Sequence, residues 1–391
     1  MRDNIIRQFQ TTASSYFLFG PRGTGKSTWL KENYPDAVYI DLLDDSVYRE
    51  LLAKPEFLYN IVSGQKNKKT IIIDEVQKVP QLLSVVHKLI EENKSLQFIL
   101  TGSSSRKLKQ AGVDLLGGRA ILKKMYPFTA AELGNLFSIN NVLEYGLIPL
   151  ILQAEDKKDA LNAYINLYLK EEVHAEGLVR NISSFARFLE IMSFSHGQIL
   201  NYSEIARECQ VKRHLVEEYA DILEDLLIAY RIKPFLKRAK RILVKSSKFY
   251  FFDSGVFNTL RPKGPLDSSS ETGGASLEGV VLHHLLAWLE YGKRDGSVYF
   301  WRTKSGNEVD FVVYGNNDFF GIEVKHSRHI RKKDLNGLKA FNEDYPEAQL
   351  VLLYMGEQQL YIDSIYCVPC RSFLGALEKG KKPFEELGII E

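Results

Sequence analysis

The feature that most constrains this chain is one glycine-rich segment, Gly20-Pro21-Arg22-Gly23-Thr24-Gly25-Lys26-Ser27, which is followed by Thr28. A glycine, four residues and then Gly-Lys-Ser is the Walker A spacing of a phosphate-binding loop. A predicted strand, Tyr16–Phe19, precedes it, and a predicted helix, Ser27–Asn33, follows it. The glycines let backbone N–H groups turn toward phosphates, Lys26 supplies positive charge, and the Ser27 hydroxyl suits Mg²⁺. Residues 20–28 therefore predict a nucleotide-binding site rather than an ordinary turn.

Two carboxylates, Asp74 and Glu75, end the apolar run that begins at Thr70. Open α/β sheets bind ligands at the carboxyl ends of their strands. We therefore expect Asp74 to hold Mg²⁺ and Glu75 to polarise the attacking water. Thr101 ends another predicted strand, where it either senses the γ-phosphate or caps the next helix. Arg119 is either an arginine finger for a neighbouring subunit's nucleotide or an ordinary surface residue.

The order of the predicted elements indicates an α/β fold, a P-loop parallel sheet with helices on both faces. A length of 391 residues predicts two or three domains. The patterns divide the chain into an ATPase core at 1–139, a helical and winged-helix-like domain at 140–262, and an α/β domain at 263–391. Within the last of these, Gly264–Ser276 is rich in Gly, Ser and Thr, which is typical of a linker.

The overall charge limits the nucleic-acid surfaces that this chain can offer. Lys and Arg total 51 and Asp and Glu total 49, so the formal net charge is only +2. Any nucleic-acid surface must therefore be a local patch. No apolar run reaches the roughly 18 residues of a membrane span, and Met1–Ser15 lacks the apolar stretch of a secretory signal. These patterns predict a cytoplasmic protein without a membrane partner, whose three cysteines are structural rather than zinc ligands.

Several blocks of the sequence resemble an AAA-type core and, more narrowly, the prokaryotic AAA family ATPases that carry a C-terminal region of unknown function. The resemblance runs nearly from end to end. The blocks that carry it are Phe17–Thr28, Ile73–Pro80, Leu100–Arg106, Tyr126–Thr129, Tyr164–Val173 and Tyr299–Phe311. The resemblance implies that the nucleotide is ATP, that it is hydrolysed with Mg²⁺, and that the chain forms a homo-oligomer, such as a ring.

The middle of the chain predicts three helices with short connections, typical of a helix-turn-helix. They are Ser184–Phe194, Tyr202–Cys209 and Arg213–Ile228. The segment from Lys233 to Lys248 then carries seven Lys or Arg residues and no acid, like the wing of a winged helix. If each met a DNA phosphate, affinity would fall with salt at a log–log slope of about 6. Five acids on the third helix favour the alternative, a purely structural module.

The C-terminal region groups four ionisable residues. Glu323 and Lys325 share one face of a predicted strand, and Asp310 ends a motif in the preceding strand. We expect the two carboxylates to share a divalent metal, with Lys325 beside it to position or activate water. Glu278 lies within an apolar helical stripe, where a buried carboxylate needs a partner. That partner is a metal or another cation, or else Lys325 in a structural ion pair.

The order Glu, Asp, Glu-x-Lys resembles the PD-(D/E)xK nuclease fold, with Val309 where that motif often has proline. The resemblance implies a restriction-endonuclease-like domain that cleaves phosphodiesters with Mg²⁺. The sequence as a whole therefore predicts a DNA-associated AAA-type ATPase with a Mg²⁺-dependent nuclease domain. DNA would be bound through Lys233 to Lys248 and the C-terminal domain. The alternative is a nucleotide-switched protein-interaction module whose C-terminal domain binds without cleaving.

Overall fold

A computed structural model of the chain describes residues 5–65, 67–103, 116–169, 182–238, 241, 243–262, 264 and 269–389. The chain divides into two compact units. One comprises residues 9–127 and 225–227, and the other comprises 1–8, 128–224 and 228–391. The predicted middle and C-terminal domains thus belong to one unit, and the three-domain division stays a prediction. None of the helices in the described ranges is long and apolar enough to cross a membrane.

The first unit contains a parallel sheet of five strands in the order β2-β3-β4-β1-β5. The strands are β1 Tyr16–Phe19, β2 Val38–Asp41, β3 Thr70–Asp74, β4 Gln97–Gly102 and β5 Ile121–Lys124. Helices flank the sheet at Lys26–Asn33, Asp45–Ala53, Phe57–Gly64 and Leu82–Glu92, with 3-10 turns at Val76–Lys78 and Leu116–Gly118. All residues of β1 and β4 are buried, as expected for strands covered on both faces. This arrangement confirms the predicted α/β fold class.

The strand order places three chain segments side by side at one edge of this sheet. β4 lies between β1 and β3, with Leu18 paired to Thr101 and Ile73 paired to Leu100. Because the strands are parallel, their carboxyl ends meet at the same edge. The glycine-rich loop after β1 therefore shares that edge with the last residues of β3 and β4.

The second unit begins with helices and a small sheet. The strands are β6 Gln198–Ile199, β7 Ala229–Ile232 and β8 Lys248–Phe251, in the antiparallel order β6-β8-β7. The helices before β8 are Ala130–Leu133, Ile139–Tyr145, Pro149–Leu152, Lys157–Ala163, Ile182–Phe194, Tyr202–Cys209 and Arg213–Asp225, with a 3-10 turn at Gly134–Leu136 and a π-helical turn at Tyr164–Leu169. The last three of these helices lie close to the bounds predicted for the helix-turn-helix trio.

The C-terminal part of this unit is a mixed sheet of six strands in the order β13-β14-β12-β11-β10-β9. The strands are β9 Gly296–Arg302, β10 Glu308–Gly315, β11 Phe319–Lys325, β12 Gln349–Tyr354, β13 Leu360–Ile362 and β14 Ile365–Pro369. The remaining helices are Ser254–Leu260, Ser269–Tyr291, Asn336–Asp344, Cys370–Ala376 and Pro383–Glu386, with a 3-10 turn at Lys332–Leu335. The C-terminal region is thus rich in sheet, as predicted.

The predicted linker at Gly264–Ser276 is wrong for residues 269–276, which are the first two turns of the helix Ser269–Tyr291. Gly273 is closely packed here, and so is Gly279 further along the same helix. A Cβ added at Gly273 would lie 2.6 Å from the His326 ring, and one at Gly279 would lie 2.7 Å from His196 Nε2. Composition alone does not separate glycine in a linker from glycine in close packing.

The basic segment between β7 and β8 covers the edge of the six-stranded sheet. The Phe235 N–H donates to the Phe300 carbonyl at 2.7 Å, and the Val244 N–H donates to the Arg302 carbonyl at 3.0 Å. The Phe235 side chain is buried in an aromatic core cluster. These bonds satisfy backbone groups that an edge strand would otherwise expose. The predicted wing is therefore partly a structural cover for β9.

Candidate functional sites

The glycine-rich loop connects β1 to the helix Lys26–Asn33 in a conformation that needs its glycines. Gly23 and Gly25 have φ angles of +79° and +89°, in the left-handed region that side chains disfavour. A Cβ on Gly20 would lie 2.3 Å from the Met125 carbonyl oxygen. The loop thus places backbone N–H groups at a helix N-terminus, which is the geometry of a phosphate site.

Lys26 lies at the base of this loop. Its Nζ donates to the carbonyl oxygens of Gly20 at 2.6 Å and Pro21 at 3.2 Å, and the side chain is buried. Thr24 Oγ1 also donates to the Pro21 carbonyl, at 2.8 Å. These carbonyl oxygens hold the ammonium at the base of the loop. The predicted phosphate-binding lysine is therefore positioned where the loop surrounds it.

Asp74 is the centre of the site at the end of β3. It is 2% exposed. Its Oδ1 accepts a hydrogen bond from the Thr101 hydroxyl, and its Oδ2 accepts one from the Tyr39 hydroxyl. Both donors are neutral, so they orient the carboxylate without cancelling its charge. Thr101, predicted as a sensor or a cap, is thus a partner of the predicted magnesium ligand.

Glu75 follows Asp74 with a left-handed backbone, at a φ angle of 61°. Such a conformation is uncommon for a residue with a side chain and occurs often at functional sites. Its N–H donates to Thr101 Oγ1 at 3.1 Å, and its Oε2 accepts a hydrogen bond from Gln77. One threonine hydroxyl therefore links the Asp74 carboxylate and the Glu75 backbone to the end of β4.

Tyr39 on β2 is a residue of this site that the sequence analysis missed. Its hydroxyl contacts Asp74 and also shares a hydrogen bond with Ser27. Burial and the Asp74 carboxylate raise the pKa of Tyr39 above its ordinary value, so it is a neutral phenol. One hydroxyl thus joins the two oxygens that were predicted to hold Mg²⁺. No local pattern marked Tyr39, because a Tyr within a strand is ordinary.

Arg119, the predicted arginine finger, lies on the surface of the same unit. It forms an ion pair with Glu91 of its own chain, and its side chain is 36% exposed. The structure places it outside the group formed by Ser27, Asp74 and Thr101, to which no described contact links it. A role toward a neighbouring subunit stays a prediction.

The four predicted C-terminal residues line one cavity of about 550 Å³. Asp310 lies on β10, Glu323 and Lys325 lie on β11, and Glu278 lies on the helix Ser269–Tyr291. The Val324 N–H donates to Asp310 Oδ2 at 2.9 Å. Lys325 Nζ lies 2.5 Å from Glu323 Oε1. The structure thus brings the predicted tetrad together.

A second lysine, Lys248 of β8, lies inside this cluster, where the sequence analysis had placed it in a DNA-binding wing. Its Nζ lies 2.5 Å from Glu308 Oε1, 3.4 Å from Asp310 Oδ1 and 3.6 Å from Glu278 Oε2. Its side chain is 3% exposed. The cation that Glu278 contacts is therefore Lys248, and the Tyr250 hydroxyl also donates to Glu278 at 2.8 Å.

Two carboxyl groups of this cluster, those of Glu278 and Glu323, have raised pKa values. Burial raises the pKa of Glu278 to about 7, and the nearby Asp310 charge adds to the effect. Burial and Asp310 likewise raise the pKa of Glu323 well above its usual range. Glu323 Oε2 is buried and has no hydrogen-bond partner among the described residues. Within those same residues, no three His, Cys, Asp or Glu side chains are grouped to hold a metal ion.

Three stretches of the chain match known families. Residues 12–134 match the family described as AAA domain, and this match supports the prediction of an AAA-type ATPase core. Residues 136–267 and 273–373 match two domains of unknown function, DUF8612 and DUF4143. These two matches assign no activity to the second unit.

The chain is similar at low identity to other proteins over most of their length. The chain is 26% identical over 379 residues to the uncharacterised protein Rv2008c of Mycobacterium tuberculosis, covering 94% of this chain and 83% of that protein. It is 23% identical to the uncharacterised protein MJ1544 of Methanocaldococcus jannaschii, covering 85% and 79%. Among solved structures, the replication initiator DnaA bound to AMPPCP and single-stranded DNA matches 55% of this chain and 83% of that chain. That match has 17% identity and a TM-score of 0.28.

Proposed function

We propose that the AAA domain binds ATP and hydrolyses it with Mg²⁺. The observation that carries this proposal is the Thr101 hydroxyl, which bonds both Asp74 and the Glu75 N–H. It holds the Asp74 carboxylate and the Glu75 backbone at the sheet edge that the phosphate loop also occupies. A loop for phosphates, a metal ligand and a base for water are the parts that phosphoryl transfer to water requires.

Each residue has a distinct task in this proposal. The Lys26 ammonium and the loop N–H groups bind the phosphates, because they supply positive charge where negative charge develops. Glu75 accepts a proton from the attacking water. The Glu75 backbone is left-handed and bonds to Thr101. This conformation sets the direction in which the Glu75 side chain leaves the backbone. Gln77 donates to the same carboxylate and orients it.

The donors around Asp74 fit Mg²⁺. This ion takes oxygen ligands and uses few carboxylates, and here a carboxylate and the Ser27 hydroxyl converge on the single hydroxyl of Tyr39. Asp74 and Ser27 are the residues that would hold the ion. When bound, Mg²⁺ supplies charge neutralisation at the phosphate oxygens.

Phosphate release from ATP by the purified chain tests this proposal. We expect Mg²⁺-dependent release that stops with EDTA and falls at least about hundredfold in Lys26→Ala, because a preorganised charge is lost. Lys88→Ala, an exposed lysine of the same unit, is the matched control and should hydrolyse ATP normally. Release that survives Lys26→Ala, or that needs no divalent ion, would exclude this site.

A second candidate function is DNA association through the basic segment that begins at Lys233. The exposed side chains of that segment include Lys233, Lys237, Arg238 and Lys245. Two further basic side chains have internal partners, because Arg241 pairs with Asp344 and Glu343 and Lys248 lies in the carboxylate cluster. Four phosphate contacts would give a salt slope of about 3 to 4, smaller than the sequence alone predicts.

The acids on the neighbouring helix oppose DNA binding less than the sequence suggests. Arg231 pairs with Asp221 and Glu224, and Arg213 pairs with Glu217. These ion pairs offset part of the negative charge that would repel phosphates. The observation favours DNA contact over the purely structural alternative.

Fluorescence anisotropy with labelled duplex DNA between 50 and 200 mM salt tests this candidate. Lys233→Ala/Lys245→Ala should lower the log–log slope by about 2, because each phosphate contact contributes about 0.9. Lys54→Ala/Lys69→Ala removes two exposed lysines of the other unit and is the charge-matched control. Equal slopes for the two double variants would count against this surface.

Metal-dependent DNA cleavage would be a more specific form of this second candidate function. The arrangement of charges in the C-terminal carboxylate cluster does not fit it. Asp310 and Glu323 offer the right kind of oxygen donor, and Glu323 Oε2 lacks a described partner. Asp310 Oδ1, however, already faces the Lys248 ammonium. We therefore derive no cleavage step, and the alternative of binding without cleaving fits this arrangement better.

A further inference from the structure

The carboxylate cluster of the second unit already contains a cation. Lys248 Nζ is within 3.6 Å of Glu308, Asp310 and Glu278, and with 3% exposure it is nearly sealed from water. An ammonium has three hydrogens, and here it has three carboxylate neighbours. It therefore occupies the central position among these groups.

Lys248 belongs to a different sheet from Asp310 and Glu308, two of the carboxylates that it contacts. Lys248 begins β8 of the three-stranded sheet, where it pairs with Ile199 and Ile232. Asp310 and Glu308 lie on β10 of the six-stranded sheet. Two separately formed parts of the unit thus meet at one buried charge group. The position of Lys248 is fixed by strand pairing as well as by its charge.

A divalent ion and this ammonium compete for the same oxygens. Mg²⁺ and Mn²⁺ need direct contact with carboxylate oxygens, at about 2.0–2.1 Å for Mg²⁺. Asp310 Oδ2 already accepts the Val324 N–H, and Asp310 Oδ1 faces Lys248. A divalent ion on Asp310 would lie a few ångströms from the buried Lys248 ammonium, and these like charges would repel each other. Glu323 Oε2 is a buried oxygen of the cluster that has no hydrogen-bond partner among the described residues.

We infer that Lys248 is the resident cation of this cluster and excludes divalent metal from it. The cluster binds a divalent ion only when the Lys248 charge is removed or withdrawn. Glu323 Oε2 and the oxygens that Lys248 releases are then the donors. This inference concerns the carboxylates of the second unit and is independent of ATP hydrolysis in the first.

Titration of the nucleotide-free full chain with Mn²⁺, followed by electron paramagnetic resonance of the free ion, tests the inference. Wild type and Asp310→Asn should bind Mn²⁺ equally, because Asp310 ligates no Mn²⁺ in the wild-type chain. Lys248→Met keeps the length of the side chain and removes its charge. It should bind one Mn²⁺ at least about tenfold more tightly than wild type, because the oxygens are then free to ligate. Lys248→Met/Asp310→Asn should lose that binding.

The controls separate charge removal from other effects. Lys245→Met makes the same change at an exposed lysine of the same segment and should behave as wild type. Lys248→Gln is a second neutral variant, and circular dichroism shows whether each variant is folded. The inference is overturned if wild type binds Mn²⁺ through Asp310, or if folded Lys248→Met and Lys248→Gln bind no more Mn²⁺ than wild type. If neither variant folds, the wild-type titration alone decides.

Discussion

Asp74 in the AAA domain and Asp310 in the second unit are both buried aspartates, and they differ in the charge of their partners. Asp74 receives the hydroxyls of Thr101 and Tyr39. Asp310 receives a backbone N–H and faces the ammonium of Lys248. Each predicted metal ligand is thus held in place, but by neutral groups in one unit and by a cation in the other.

We propose that this difference separates a carboxylate that can accept a metal cation from one that already faces a cation. Neutral donors orient a carboxylate and leave its negative charge for an incoming ion. A buried ammonium cancels that charge, because opposite charges in low dielectric interact strongly. Similar residue types, read from sequence as two Mg²⁺ sites, therefore have different capacities for metal.

The largest expected effect comes from replacing one glutamate with glutamine in each site. Glu75→Gln should slow ATP hydrolysis about 10²- to 10⁴-fold, because the amide cannot accept the proton of the attacking water. Glu323→Gln, the matched change in the second unit, should leave the rate within about twofold, because it removes no group from the ATP site. The rate of phosphate release at saturating ATP measures both. Equal losses in the two variants would show that the sites act as one.

The next effect concerns stability and compares two buried lysines. Lys248→Met should lower the free energy of unfolding by about 3 kcal/mol, because Glu308, Asp310 and Glu278 lose a buried counter-charge. Lys26→Met should lower it by about 1 kcal/mol, because Lys26 donates to neutral carbonyls. Urea unfolding at pH 8 measures both values. If the two losses are alike, the charge contrast between the sites is wrong.

Much of this fold was predictable from local patterns. β1 and β3 have the predicted bounds residue for residue, because buried strands appear as short apolar runs with polar ends. The order Glu278, Asp310, Glu323, Lys325 also predicted a shared cavity, since adjacent strands bring their side chains together. These signals are local in sequence or depend on neighbouring strands.

The partners of the predicted site residues were not predictable in the same way. Lys248 is 62 residues from Asp310 and lies in another sheet, and in sequence it resembles its exposed neighbours. Tyr39 is 35 residues from Asp74 and looks like an ordinary strand residue. Only the tertiary structure decides which of seven basic residues is buried among acids. The sequence therefore predicts site residues better than it predicts their charge balance.

A smaller effect distinguishes the two units by their response to acid. The second unit contains His196 and His284, and burial lowers their pKa values to about 3 and about 4. The Nε2 of His284 accepts the Ala130 N–H at 2.8 Å, and its Nδ1 donates to the Val280 carbonyl at 2.7 Å. A second ring proton would face an N–H donor. The first unit contains one histidine, the half-buried His87.

The sign of the effect follows from these pKa values. Below the ordinary value of 6.5 the unfolded chain binds protons that the folded chain does not, so stability falls as pH falls. At pH 5 one such histidine costs about 2 kcal/mol. In His284→Gln, the loss of stability of the second unit between pH 7.5 and pH 5 should be smaller by about that amount. His87→Gln is the control, and an unchanged pH dependence in His284→Gln would contradict the assignment.

The smallest effect concerns the Tyr39 hydroxyl, the neutral counterpart of Lys248. It bonds Asp74 and Ser27, so Mg²⁺ must break those bonds to reach both oxygens. Tyr39→Phe should lower the Mg²⁺ concentration for half-maximal hydrolysis about threefold to fivefold, because one hydrogen bond is worth about 1 kcal/mol. Tyr59→Phe changes an exposed tyrosine of the same unit and should have no effect. A higher Mg²⁺ requirement in Tyr39→Phe would mean that the hydroxyl holds the ligands in place for the metal. The gain of metal affinity in Lys248→Met can be compared with the gain in Tyr39→Phe. A larger gain in Lys248→Met would show that an ammonium resists displacement by a metal ion more strongly than a hydroxyl does.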